Sequence, residues 1–186
     1  MPDSSSTSSG GWPDRDGPVV KVVVAYAHPC AESYVASVRD RVMSGLSAAG
    51  CEPLLIDLYE SSYDPYLPLP VADAQSLDGA ESLVLVHPTW WTSHPAILLA
   101  WITQATDTGL PGVRSLVSVT TLGGSKLANR LAGEAGARVI DRAVRRQLVE
   151  HPPHRRMALY GLDQSTPERR QAFLDRVETR IGGLVR

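Results

Sequence analysis

Two rhythms of apolar residues alternate along this chain. Short runs rich in Val, Leu and Ile occupy residues 19–25, 53–58, 82–86, 113–120 and 155–160. Such runs predict strands buried on both faces, since a strand with one wet face would alternate apolar and polar positions. Between them, apolar residues return every three or four positions, the repeat of a helix with one buried stripe. Ser33 is placed to cap a helix in which Val35, Val38, Val42, Leu46 and Ala49 share a face, and Gly50 ends it. Pro95 stands near the start of an apolar helix through Ala96, Ile97, Leu98, Leu99, Trp101 and Ile102. A long helix is predicted from about Lys126, with Leu127, Leu131, Ala135 and Val139 as its stripe and Gly133 and Gly136 as weak points. The last helix has Thr166 as N-cap, Pro167 as first residue, and Phe173, Val177 and Ile181 as buried face.

Strands alternating with helices imply an α/β fold, a three-layer, doubly wound, five-stranded parallel sheet. The Rossmann dinucleotide fold is the rival. Its glycine fingerprint is absent after the first strand, where Ala27-His28-Pro29 stands instead. Residues 1–17, rich in Ser and Gly, read as a disordered tail; residues 18–186 form the single domain.

Composition narrows the function classes. A net charge of -2 gives no reason to expect nucleic acid or an anionic membrane as partner. From Lys126 onward there are 13 basic and 7 acidic residues, read as solvated helix faces. Cys30 and Cys51 are too few for a disulfide framework and lack metal-ligand spacing, so a reducing, cytoplasmic setting is expected and no metal is assigned. No apolar run approaches the roughly 20 residues needed to span a bilayer, so no integral membrane segment is expected.

In open α/β sheets ligands bind beyond the C-terminal strand ends, and three motifs fall there. After the first strand comes Tyr26-Ala27-His28-Pro29 with Ser33 and Tyr34. Free N–H groups and the positive dipole end of the following helix suit a phosphate, with His28 and Ser33 as added donors. After the third strand comes Pro88-Thr89-Trp90-Trp91-Thr92-Ser93-His94-Pro95. Trp91 is the candidate wall for a flat apolar ring, and the backbone from Thr89 through Trp90 to Trp91 would meet its edge. After the fourth strand comes Thr120-Thr121-Leu122-Gly123-Gly124-Ser125, whose glycines permit close backbone approach and whose hydroxyls supply small donors.

Together these motifs resemble those of the NAD(P)H:quinone oxidoreductase branch of the flavodoxin-like flavoproteins, from about Val19 onward. The resemblance implies bound FMN or FAD, NAD(P)H as co-substrate, a quinone or similar small electrophile as acceptor, and a homodimer. The implied chemistry is a ping-pong hydride relay. Departures are specific. Ser33-Tyr34-Val35 stands where relatives carry Ser-Phe-Asn, so an Asn side chain is missing. Leu98-Leu99-Ala100-Trp101-Ile102-Thr103 lacks the Lys and acid of Leu-Lys-Gly-Trp-x-Asp. Ser125-Lys126-Leu127-Ala128-Asn129 offers neither the Tyr nor the His that some relatives use for proton relay, so no catalytic acid is assigned. Relatives also include accessory subunits of potassium-efflux systems, and a flavin-binding regulatory subunit is the alternative. His87 is open between site edge and packed core. His151 and His154 are expected to face solvent, and Tyr63 and Tyr66 are candidates to cover the pocket.

Overall fold

The computed structural model describes residues 19–61, 63–69, 71–108, 110, 112–132, 135–148 and 151–186; the tail expected over 1–17 lies outside them. Five strands, β1 (Lys21–Tyr26), β2 (Glu52–Asp57), β3 (Ser82–Thr89), β4 (Ser115–Leu122) and β5 (His154–Tyr160), form one parallel sheet in the order β2-β1-β3-β4-β5. That is the doubly wound order expected, in which the sequence of strand addition changes sides between β1 and β3. Successive side chains along each strand feed opposite layers. Val22, Val24 and Tyr26 pack with α1 (Tyr34–Ala48) and with α6 (Pro167–Leu184). Val23 and Ala25 face Leu98, Trp101 and Ile102 of α3 (Ala96–Thr108).

The predicted caps are present. Ser33 Oγ accepts from the Ala36 N–H at 3.1 Å, and Thr166 Oγ1 accepts from the Arg169 N–H at 3.3 Å. Helices α1 and α6 meet at glycines. A Cβ on Gly45 would lie 2.3 Å from the Glu178 carbonyl oxygen, and one on Gly182 would lie 2.3 Å from the Ala49 Cβ. The C-terminal carbonyls of α6, orphaned by helix geometry, are met from the sheet. Ser82 and Arg155 donate to Val185 O and Leu184 O at 2.6 and 2.7 Å.

Two expectations are corrected and one helix is added. The third and fourth strands run further than their apolar cores, to Thr89 and Leu122, because Pro88 pairs with Thr121 and Thr89 with Leu122. A short helix α2 (Val71–Ser76), which the apolar pattern does not predict, lies between β2 and β3. The long helix from Lys126 is broken into α4 (Lys126–Leu131), α5 (Ala135–Val139) and a π-helical turn at Ile140–Val144. Gly133 lies outside the described residues. The expected stripe is not the buried one: Leu127 and Leu131 are 68% and 80% exposed, whereas Ile140, Val144 and Leu148 enter the core.

Candidate functional site

The loops after β1, β3 and β4 meet at one rim of the sheet. His28 Nδ1 accepts from the Cys30 N–H at 3.0 Å, which closes the first loop on itself, and its ring centroid lies 6.0 Å from that of Trp90. Ser33 uses a lone pair as the α1 cap, and the Tyr34 and Val35 N–H groups remain as first-turn donors. The Tyr34 side chain is committed elsewhere: its hydroxyl donates to Arg170 O at 2.7 Å, and burial pushes the phenol up to about 12. Tyr34 therefore offers the rim its backbone rather than its ring.

The second loop turns at Trp91 and Thr92. Trp90 and Ser93 exchange backbone hydrogen bonds at 3.0 and 2.9 Å, which leaves the two residues between them at φ 49° and 62°. Left-handed backbone costs an L-residue about 1–2 kcal/mol, and tight turns of this kind normally take Gly or Asn. Trp91 is also 95% exposed. Its side chain adds nothing to the core, so packing does not account for the strained turn.

The third loop supplies the opposite side. Thr120 and Thr121 lie in β4 and are buried. Thr120 Oγ1 is 3.0 Å from Thr89 Oγ1, and Thr121 pairs with Pro88. These residues build the floor under the loops. Gly123 and Gly124 are exposed above it. Gly124 O accepts from the Gly161 N–H at 2.9 Å and from Asn129 Nδ2 at 3.1 Å. Trp91, Gly123, Gly124, Asn129 and Ala132 line one cleft of about 360 Å³ that opens beside Thr89. An aromatic face, a Cβ-free backbone and a few hydroxyl and amide groups fit a planar ring with hydrogen-bonding edges. Tyr63 lines a different cleft, with Trp101, along β2.

Behind this floor is a histidine cluster that the sequence does not announce. His87, His94 and His154 border a small pocket of about 20 Å³, room for one water. His154 is not solvent-facing as expected: its side chain is 3% exposed, with Nε2 2.8 Å from Ser118 Oγ and Nδ1 3.1 Å from Asp141 Oδ1. Burial lowers its pKa, opposed by Asp141. The order hydroxyl–imidazole–carboxylate matches a hydrolytic triad. Ser118 is buried in β4 over a pocket with room for one water, and the relay ties β4, β5 and the π-helical turn together.

His94 reaches across to the broken helix. Its Nε2–H donates to Gly136 O at 2.9 Å, and the Gly136 N–H donates to Thr92 O at 2.9 Å. Gly136, read from sequence as a weak point, is the clamp on the Trp91 turn. His94 faces this clamp and the histidine pocket, which shares Thr89, Thr92, Leu122 and Asn129 with the rim cleft.

Among the described residues no group of three or more His, Cys, Asp and Glu converges for a metal, and no helix is long and apolar enough to cross a membrane. The Flavodoxin_2 family model, of flavodoxin-like fold, matches residues 20–148. The uncharacterized NAD(P)H oxidoreductase YcaK of Escherichia coli K12 is 24% identical over 106 residues, 48% of this chain and 54% of that protein. The chain thus spans about half the length of this curated relative. The NAD(P)H:quinone oxidoreductase of Methanothermobacter marburgensis superposes with a TM-score of 0.70 at 20% identity, covering 89% of this chain and 97% of that one. The FMN-dependent NADH-azoreductase of Bacillus anthracis, solved in complex with FMN, superposes at 0.68 and 15% identity, covering 90% and 100%. Sheet order and family match agree: the chain belongs to the Flavodoxin_2 family of flavodoxin-like fold.

Proposed function

We propose that the rim cleft holds a flavin and that the protein passes two electrons from NAD(P)H to a quinone or similar small electrophile. The observation that carries this reading is the strained, exposed Trp91 facing the bare Gly123-Gly124 backbone across one cleft. The relatives support it: one is named an NAD(P)H oxidoreductase, one a quinone oxidoreductase, and one holds FMN. A bound flavin, FMN or FAD, would supply the hydride chemistry. The protein's part is position and electrostatics. The opening of α1 at Ser33, Tyr34 and Val35 would hold the phosphate, with His28 at its flank. Trp90 and Trp91 would wall the ring, and N–H groups of the 120–124 loop would meet the pyrimidine edge, where negative charge builds on reduction. Exposed Leu127 and Leu131 on α4, whose Ala128 and Asn129 border the cleft, support a homodimer that covers this side. We place the protein in the cytoplasm.

A second reading, a flavin-binding accessory subunit with little turnover, is favoured by the absence of a titratable side chain among the residues that line the rim cleft. His94 is tied to Gly136 O, and the 125–129 segment carries neither Tyr nor His. The visible absorption spectrum of purified protein, followed by NAD(P)H oxidation with a soluble quinone, tests both. A colourless protein that takes up neither FMN nor FAD sinks both readings, and flavin uptake without oxidation supports the second.

A further inference from the structure

A cleft of about 600 Å³ runs along the outer edge of β5 and shares no lining residue with the rim cleft. Five cations from three separated segments line it. Lys126 opens α4, Arg155 and Arg156 begin β5, and Arg176 and Arg180 stand one turn apart on α6. No carboxylate is among the lining residues, although the chain as a whole is net negative. Cations on an edge strand alone would be an ordinary guard against strand pairing. That role does not call for further cations converging from α4 and α6 onto the same concavity.

Three guanidinium groups are held in place. Arg155 Nη1 donates to Leu184 O at 2.7 Å, Arg156 lies 5.7 Å from the Tyr160 ring centroid, and Arg176 lies 5.1 Å from that of Phe173. Planar forks held this way match phosphate oxygens in pairs and lose little freedom on binding. The volume is that of a nucleotide-sized ligand. The upper end of the cleft adjoins the rim: Lys126 follows Ser125 directly after Gly123-Gly124, and the Gly161 N–H at the end of β5 donates to Gly124 O.

We propose that this cleft binds the phosphorylated end of a nucleotide and, resting on the redox reading above, that it takes the 2′-phosphoadenosine end of NADPH in preference to NADH. The same chemistry would accept the phosphates of a free nucleotide, so the test separates the two sources. Titration calorimetry of the full-length protein with 2′,5′-ADP, 5′-ADP and inorganic pyrophosphate is compared between the wild type and Arg176→Ala/Arg180→Ala. Both arginines are exposed, and an unchanged thermal melt confirms that the variant folds. Binding of 2′,5′-ADP that weakens about tenfold or more in the variant and falls with added salt supports the cleft. Wild-type protein that binds none of the three, or a variant that binds them equally, overturns it. The source is read from kcat/KM: a drop for NADPH with NADH unchanged assigns the 2′-phosphate, and equal values for both with lost 5′-ADP binding assign a free nucleotide. A protein that binds 2′,5′-ADP but oxidises neither dinucleotide defeats the redox reading and leaves the cleft standing.

Discussion

His94 Nδ1 lies 3.1 Å from His87 Nε2 in a buried, edge-on ring pair. Each ring also meets a carbonyl: His87 Nδ1 is 2.9 Å from Pro88 O, and His94 Nε2 is 2.9 Å from Gly136 O. Carbonyls only accept, so both outer links need an N–H. Two neutral imidazoles carry two protons between them, and the three links of this chain need three. Burial, first of all, pushes His87 down to about 3 and also lowers His94, so the pair stays one proton short near neutrality.

This pair makes stability depend on pH in a defined window. In the unfolded chain His titrates near its ordinary value of 6.5, above the folded value of His87. Below that pH the unfolded state binds more protons than the folded one, so stability is fully present above about 6.5 and falls as pH drops toward the folded value. The slope per titrating group reaches about 1.4 kcal/mol per pH unit. Urea unfolding at intervals from pH 8 to 5 should show this loss, before carboxylates titrate. A His87→Gln/His94→Gln variant should flatten the slope. A wild-type profile flat across that range would contradict the pairing.

Gly45→Ala should destabilise the protein by about 1–3 kcal/mol, as overpacking does. The added Cβ meets the backbone oxygen of Glu178 at 2.3 Å, and backbone cannot rotate aside as a long side chain can. Denaturant midpoints check this. A loss under about 0.5 kcal/mol would mean that α1 and α6 can separate at little cost.

Trp91→Gly separates strain from function. Glycine accepts φ 49° freely, so the thermal midpoint should hold or rise despite loss of a large side chain, which is 95% exposed. Flavin affinity, read by fluorescence quenching, should fall about tenfold or more if Trp91 is the wall of the cleft. Retained affinity would remove Trp91 from the site.

Gly124→Val should abolish turnover while the fold persists. The new side chain enters the rim cleft, and its Cβ meets the Asn129 amide at 3.1 Å. Circular dichroism and NAD(P)H oxidation measured on one preparation decide it, and unimpaired turnover would place the chemistry elsewhere.

Leu127→Asp/Leu131→Asp should leave the monomer fold intact, because both side chains lie outside the core. If α4 is a subunit contact, light scattering will show a shift from dimer to monomer. A wild type that is already monomeric, or a variant that still dimerises, counts against that face.

The amino-acid order by itself determined the five strands, the capped first and last helices, and the place of each rim loop. Parallel strands buried on both faces must be apolar throughout, and helix ends need side-chain caps, so both leave local marks. It also located Trp91 and the glycine pair, since they follow strand ends. The outcome of the 126–148 segment was decided by tertiary structure. Leu127, Leu131 and Val139 keep helical spacing, but the chain breaks so that Gly136 can bond Thr92 and His94 while Ile140 and Val144 enter the core. The histidine cluster and the five-cation cleft were likewise beyond local pattern. His87, His94 and His154, or Lys126, Arg155 and Arg180, come from segments far apart in sequence, and only the order in which β3, β4 and β5 lie side by side brings them to one place.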